Sequence, residues 1–485
     1  MALSKDIVEL LTSGTVREIG AAYRSRALSV EAAARWYLDR IEAFNQRGPA
    51  LNCVKYISPK AVAEAKALDA KLSAGEDLGA LHGIPLLVKS NVMMGEEFTV
   101  HAGVAALKEF RPKEIAEMVV RLRAAGVVIL GQTNLTEFAD YVSDYMPAEF
   151  SGAEGVVKNP HGISYGRGQG SSVGSAAAIA AGFAPLAIGG ETQNSIQTPS
   201  SYSSVVGFKS SVGVIPRAGI MPLVPSQDAP GFLGRTVDDV VIATEAVSGA
   251  DPRDPVSMAL VLAKHDRPAK PTSLKDVRIG VPRRAQADRE QFEQVMPLFN
   301  KALEALSAAG ATIVDPCDMP SAEQMQDVRS TVFATEFKAA VNAFLLDQGA
   351  PGGIGSLAEL IAWNAQRPDL IPYGQSLLAN AEKTLGLNHP NYINDRYRDI
   401  VLSRTAGIDA ALAIGDADVL IAPMGAAAKC TGKAGAPTLA IPVGLDDEGT
   451  PFGVTLYTQL GGDETLVNVA RLVEAVIGDR RLPAL

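Results

Sequence analysis

The chain has 485 residues, 47% hydrophobic and 20% charged, enough apolar surface to bury a large core and to exclude intrinsic disorder. Its 44 lysines and arginines against 54 aspartates and glutamates give a net charge of −10, so no basic field is available for a phosphate backbone and a nucleic-acid partner is not expected. Cys53, Cys317 and Cys430 stand far apart with no C-x-x-C pair, which argues against a zinc site or disulfide framework and for a reducing, cytoplasmic setting.

Residues 1–6 lack a basic start followed by an apolar run, so no signal peptide is expected. The first 75 residues read as helices. Val30, Ala33, Tyr37, Ile41 and Phe44 recur at three- and four-residue spacing, with Ser29 placed to cap the stripe. The apolar run 84–88 reads as a buried strand, 115–125 as a helix closed by Gly126, and 127–130 as a second strand. That order predicts a parallel sheet with helices on both faces.

Residues 141–235 are rich in Gly, Ser and Pro and poor in charge, and are expected to pack inside without obvious helices. Within them, 168–190 carries no charge, but Gly182 and Pro185 break it. A short Ala-rich helix and then a buried strand fit better than a membrane span, which needs about 20 apolar residues. Residues 250–285 read as a surface connection, 277–282 as a strand, 292–309 as a helix and 320–412 as mostly helical. Residues 419–423 return to the sheet, and 439–443 with 452–456 form a hairpin around the turn 446–449.

Three places carry candidate chemistry. Lys89 ends the apolar run 84–88. Burial there would lower its pKa and make it a base, although a strand that simply ends in a solvated ammonium is the plainer reading of that residue alone. Residues 166–175 form a Gly-Ser cluster leading into a helix, where backbone N–H groups can hold an oxyanion. The dinucleotide fingerprint fails there, because its sixth position is Ser171 and no strand precedes it. Gly170 to Gly174 matches G-x-S-x-G, but a polar loop stands where a nucleophile elbow needs a strand. The five histidines, His82, His101, His161, His265 and His389, show no ligand spacing. Ser195 follows the strand 186–188, at the edge where open α/β sheets place their sites.

Together these pieces resemble the amidase signature family. Residues 83–91, Gly-Ile-Pro-Leu-Leu-Val-Lys-Ser-Asn, look like its lysine motif G-I-P-x-x-V-K-D-N. Residues 169–175 look like G-G-S-S-G-G-S, and Ser195 follows Ser171 by 24 residues, the family's spacing. The resemblance covers the chain from about residue 15 onward. It departs at Ser90 in place of Asp, at Gln169 and Val173 in place of glycines, and in 190–195, Gly-Glu-Thr-Gln-Asn-Ser, nearest a T-E-T-x-G-S subgroup that includes peptide amidases. Losing loop glycines restricts φ.

The resemblance implies one large α/β fold, a mixed central sheet covered by helices on both faces. It comprises an N-terminal helical segment (1–75), a signature core (76–250), a variable helical roof (251–415) and a return to the sheet (416–485). It implies a triad of Lys89, Ser171 and Ser195, with a cis peptide before Ser171 and the backbone of Thr192, Gln193, Asn194 and Ser195 as oxyanion hole. Ser172 would support the network, Glu191 would be structural, and no metal or other cofactor is expected. Gln197 is expected to face substrate, standing where relatives that take acidic substrates carry an arginine. The aromatics Phe333, Phe337, Phe344, Trp363, Tyr373 and Tyr392 are expected to supply part of an apolar entrance. The implied reaction is hydrolysis of a small neutral amide through an acyl-enzyme. The alternatives are a carbamate or aryl ester hydrolase and, ranked lower, the glutaminase subunit of a transfer-RNA amidotransferase. No membrane partner is expected, and a homodimer is compatible with this reading.

Overall fold

The computed structural model describes residues 3–262 and 271–485, so His265 and part of the expected 250–285 connection lie outside it. The strands are β1 (Val54–Ile57), β2 (Pro85–Lys89), β3 (Val128–Thr133), β4 (Phe150–Ser151), β5 (Gly155–Val156), β6 (Leu186–Glu191), β7 (Val206–Lys209), β8 (Ala229–Gly234), β9 (Arg278–Gly280), β10 (Thr312–Val314), β11 (Val419–Pro423), β12 (Thr438–Leu445) and β13 (Pro451–Tyr457). Eleven of them form one sheet in the order β1-β3-β2-β6-β8-β7-β12-β13-β11-β9-β10, while β4 and β5 pair apart. The β3–β2–β6 and β11–β9–β10 blocks are parallel, as the strand–helix–strand order predicts. Antiparallel pairs join them through the middle, so the sheet is mixed.

Every residue of β2, β3, β8, β11 and β13 is buried. Neighbouring side chains in a strand point to opposite faces, so unbroken burial means that the sheet is covered on both. Helix Val30–Ile41 forms with Ser29 Oγ accepting from Ala32 N at 3.1 Å, the cap its sequence signals. The chargeless stretch becomes helix Val173–Ala180 followed by β6. No helix among the described residues is long and apolar enough to cross a membrane.

The structure corrects the sequence reading in several places. Val54–Ile57 lies in the expected all-helical segment but is a strand, paired antiparallel with β3. The charge-poor stretch 141–235 holds β7 and β8 as well as β6, and pairing within the sheet is what lets so glycine-rich a chain be buried. The expected surface connection includes helix Pro255–Leu262. The stretch 320–412 is helical as expected, including Val332–Asp347, Leu357–Ala365 and Pro390–Ile400. Phe333, Phe337, Phe344 and Trp363 pack in a second core cluster with Phe138 and Tyr141: Phe337 lies 5.3 Å from Phe138 and 4.8 Å from Tyr141 between ring centroids.

Candidate active site

The run 84–88 is apolar because β2 lies inside the sheet, and its last residue projects an amine into that interior. Lys89 is 1% exposed. Its Nζ lies 2.8 Å from Ser171 Oγ, 3.0 Å from Ser172 Oγ and 3.1 Å from Gly190 O. Withdrawal from water destabilises the ammonium and pulls its pKa down to about 7, while Glu191, Asp228 and Asp140 push back up. The shift arises because β2 delivers the amine to the ends of two other buried elements.

Both serines sit where helix Val173–Ala180 begins. The Gly170–Ser171 peptide is cis, and Ser172 stands at the helix's N-cap position with its hydroxyl turned to Lys89 and Gly190. Close approach fixes this junction to the sheet. A Cβ on Gly174 would lie 2.1 Å from Asn134 O, so only glycine lets the helix start against the end of β3. Ser175 Oγ then donates to Ile188 O at 2.8 Å and lies 2.9 Å from Thr133 Oγ1, tying β3 and β6 to the same turn. Val173, which replaces a family glycine, is simply the first residue of the helix.

Ser195 lies beyond β6. Ser172 N donates to Ser195 O at 3.1 Å, which draws the two serine clusters together. Two further carbonyls of the loop are engaged: Thr198 N donates to Asn194 O, and Gln197 Nε2 to Gln193 O. The backbone N–H groups of Thr192, Gln193, Asn194 and Ser195, by contrast, make no hydrogen bond among the described residues. Carbonyls turned to the protein and N–H groups left open are what an oxyanion site requires. Lys89 and Ser171 are in hydrogen-bond contact. Ser195 Oγ makes no hydrogen bond to Ser171 in this state, a leg that catalytic sites often close only around substrate.

Glu191 explains the loop's shape. Its Oε2 accepts from Ile196 N at 2.7 Å and Gln197 N at 2.9 Å, and its Oε1 from Gln197 Nε2 at 2.8 Å. The carboxylate is thus spent on the backbone following Ser195, the structural place expected for it. Gln197, expected to face substrate, is 0% exposed, and its amide nitrogen donates to Glu191, Gln193 and Thr431, so it braces the loop.

Asp228, to which the sequence reading gives no role, fastens the loop's other side. Thr192 Oγ1 donates to it at 2.6 Å, and Leu223 N and Val224 N each donate at 2.8 Å. A cavity of about 290 Å³ opens beside Lys89, walled by Phe138, Ile220, Met221 and Leu223 and reached by Gly190 and Thr192. Its two arginines are neutralised. Arg217 pairs with Asp254 at 2.7 Å, and Arg253 with Asp251 at 2.9 Å and Glu117 at 3.0 Å. None of the six aromatics expected at the entrance lines this cavity. Phe138 does, and Phe337 backs it from behind.

A sheet carrying a buried lysine against two serines at a helix start, with a third serine on an open N–H loop, defines a hydrolase class. Comparison with known proteins agrees, and the chain belongs to the amidase family, whose model matches residues 32–434. The solved structure of native peptide amidase from Stenotrophomonas maltophilia superposes with a TM-score of 0.89 and is 34% identical, over 97% of this chain and 98% of that one. A probable amidase of Arabidopsis thaliana is 28% identical over 98% of this chain and 92% of its own. A glutamyl-tRNA(Gln) amidotransferase subunit of Bdellovibrio bacteriovorus is 28% identical over 96% of this chain and 97% of its own. The chain is an amidase-signature hydrolase of amides.

Proposed function

We propose that the protein hydrolyses neutral amides with an apolar or aromatic acyl or amine part, using Ser195 as nucleophile, Ser171 as proton relay and Lys89 as base. The observation that carries this reading is the 2.8 Å contact between Ser171 Oγ and a lysine held near neutrality by burial. A neutral amine has two N–H donors and one lone pair. Gly190 O and Ser172 Oγ can take the donors, which leaves the lone pair for the Ser171 hydroxyl. Ser195 Oγ then attacks the amide carbon as its proton passes through Ser171 to Lys89. The N–H groups of 192–195 receive the oxyanion, each such donor being worth about 10²–10³ in rate. The proton returns to the departing nitrogen, the C–N bond breaks, and water cleaves the ester on Ser195 with the same groups in reverse.

Substrate charge follows from the walls. The cavity's two arginines are paired, Gln197 offers no charge, and Phe138, Ile220, Met221 and Leu223 supply apolar wall, which favours neutral aryl or peptide amides. The kinship with peptide amidase supports the same class. Carbamates and aryl esters share the chemistry and belong in the assay. The test has two parts. A fluorophosphonate should label Ser195, as mapped on peptides, and Ser195→Ala should abolish both label and turnover; a label on Ser172 refutes the assignment. kcat/KM for a neutral aryl amide should exceed that for a carboxylate-bearing amide of similar size. The opposite order would mean that another cation serves the acid.

A further inference from the structure

Just past β3 the chain does something non-glycine residues rarely do. Phe138, Ala139 and Asp140 are all left-handed, with φ of 46°, 51° and 74°. Such backbone persists where its surroundings demand it, and it clusters at functional sites. Here the turn lets one short segment grip the dipeptide unit Gly170–Ser171 from both ends. Thr136 N donates to Ser171 O at 3.2 Å, and Gly170 N donates to Asp140 Oδ2 at 3.1 Å. The fit is close: a Cβ on Gly170 would meet Thr136 Oγ1 at 2.2 Å and Asp140 Oδ2 at 3.2 Å. The gripped unit is the one that presents Ser171 Oγ to Lys89.

We propose that Asp140 is a positioning residue of this site, its carboxylate fixing the Gly170 N–H so that the Ser171 hydroxyl is held on Lys89. The proposal rests on the reading of Ser171 as relay. Among the described residues no ion pair includes Asp140, and the charged groups facing it are Glu149 and Lys89. Its charge therefore acts on the lysine as well. Asp140, with Glu191 and Asp228, favours the protonated amine against the burial that disfavours it.

Two substitutions separate these effects. Asp140→Asn keeps an oxygen acceptor for Gly170 N and tolerates a left-handed φ, but loses the charge. Asp140→Gly accepts the same φ and loses both. For Asp140→Gly, kcat should fall by about 10²-fold with KM within about twofold, because a relay displaced by a fraction of an ångström spoils geometry and not binding. Fluorophosphonate labelling of Ser195 should slow in proportion. Asp140→Asn should recover most of kcat and move the rising limb of kcat/KM to lower pH, since a charge that raises the lysine's pKa is gone. Wild-type kcat in Asp140→Gly, or an Asn variant as impaired as the Gly variant, overturns the proposal. So does an unmoved limb in Asp140→Asn, and that measurement decides alone if Asp140→Gly does not fold. Full activity in Ser171→Ala would instead overturn the relay itself, a separate failure.

Discussion

Lys89 should make the enzyme's rate follow pH through neutrality. The amine must be unprotonated to accept a proton, so activity rises with pH and is lost as pH falls. With a pKa of about 7, the neutral fraction climbs from roughly 10% at pH 6 to roughly 90% at pH 8, and kcat/KM should increase about tenfold and then level. An unshifted lysine near 10.4 would be only about 0.4% neutral at pH 8, and the rate would keep rising with unit slope toward pH 10. The assay is initial-rate kcat/KM on a neutral aryl amide from pH 5.5 to about 10 at fixed ionic strength, which reports the free enzyme. Asp140 titrates in the same region, its carboxyl pushed up to about 7 by burial, so the limb belongs to the coupled pair and its midpoint is a macroscopic value. Lys89→Arg should be inactive at every pH, because a guanidinium does not deprotonate. A limb still climbing above pH 9, or substantial turnover by Lys89→Arg, would refute the reasoning.

Other outcomes follow from the same geometry. Glu191→Ala leaves two buried backbone N–H groups and the Gln197 amide without their acceptor; it should cost about 2–5 kcal/mol in urea unfolding and disorder the Ser195 loop enough to lower kcat. Ser172→Ala removes one of three Lys89 contacts and should lower kcat less than Ser171→Ala does, a ranking that single-turnover kinetics can check. Gly174→Ala drives a methyl into Asn134 O and should lower Tm by several degrees, since overpacking costs about 1–3 kcal/mol.

How much of this is legible in the sequence depends on what sets each element. Runs such as 84–88 and 419–423 are visible because full burial in a parallel block demands continuous apolar residues. β8 is not visible. Its sequence, Ala-Pro-Gly-Phe-Leu-Gly, carries turn residues, yet a Cβ on Gly231 would lie 2.2 Å from Phe208 O, so the glycine reflects a crowded strand. β1 is hidden by being four residues long among helices. The site divides the same way. Lys89 is visible as the end of a buried strand but taken alone reads as a solvated ammonium, and it, Ser171 and Ser195 become distinguishable only through the family motifs and spacing. Asp140 gives no local signal, because the group it holds, Gly170 N, lies thirty residues away in the chain. The orientation of Gln197 is likewise not legible, because its place two residues after Ser195 does not reveal that Glu191 holds its side chain inward.

The missing loop glycines show the difference between a residue's conformational and spatial roles. Glycine can serve a loop by adopting positive φ or by making room. No residue from 189 to 195 has positive φ, so Gln193 and Asn194 incur no backbone strain there, and their N–H groups remain open. Room is the other need, and it is met from across the contact. Helix Ala428–Ala434 presents Gly432, where a Cβ would lie 2.6 Å from Thr192 O and 2.9 Å from Gln193 Cα. The small residue stands on the facing helix, and the loop's own side chains are free to anchor it. Gln193 Nε2 donates to Gln227 Oε1 at 3.2 Å, and Asn194 Nδ2 donates to Gly168 O in the loop before Ser171. A glycine loop would have to be held rigid by its backbone alone. This one is tied by side chains to both neighbouring segments, which fixes the positions of its open N–H groups.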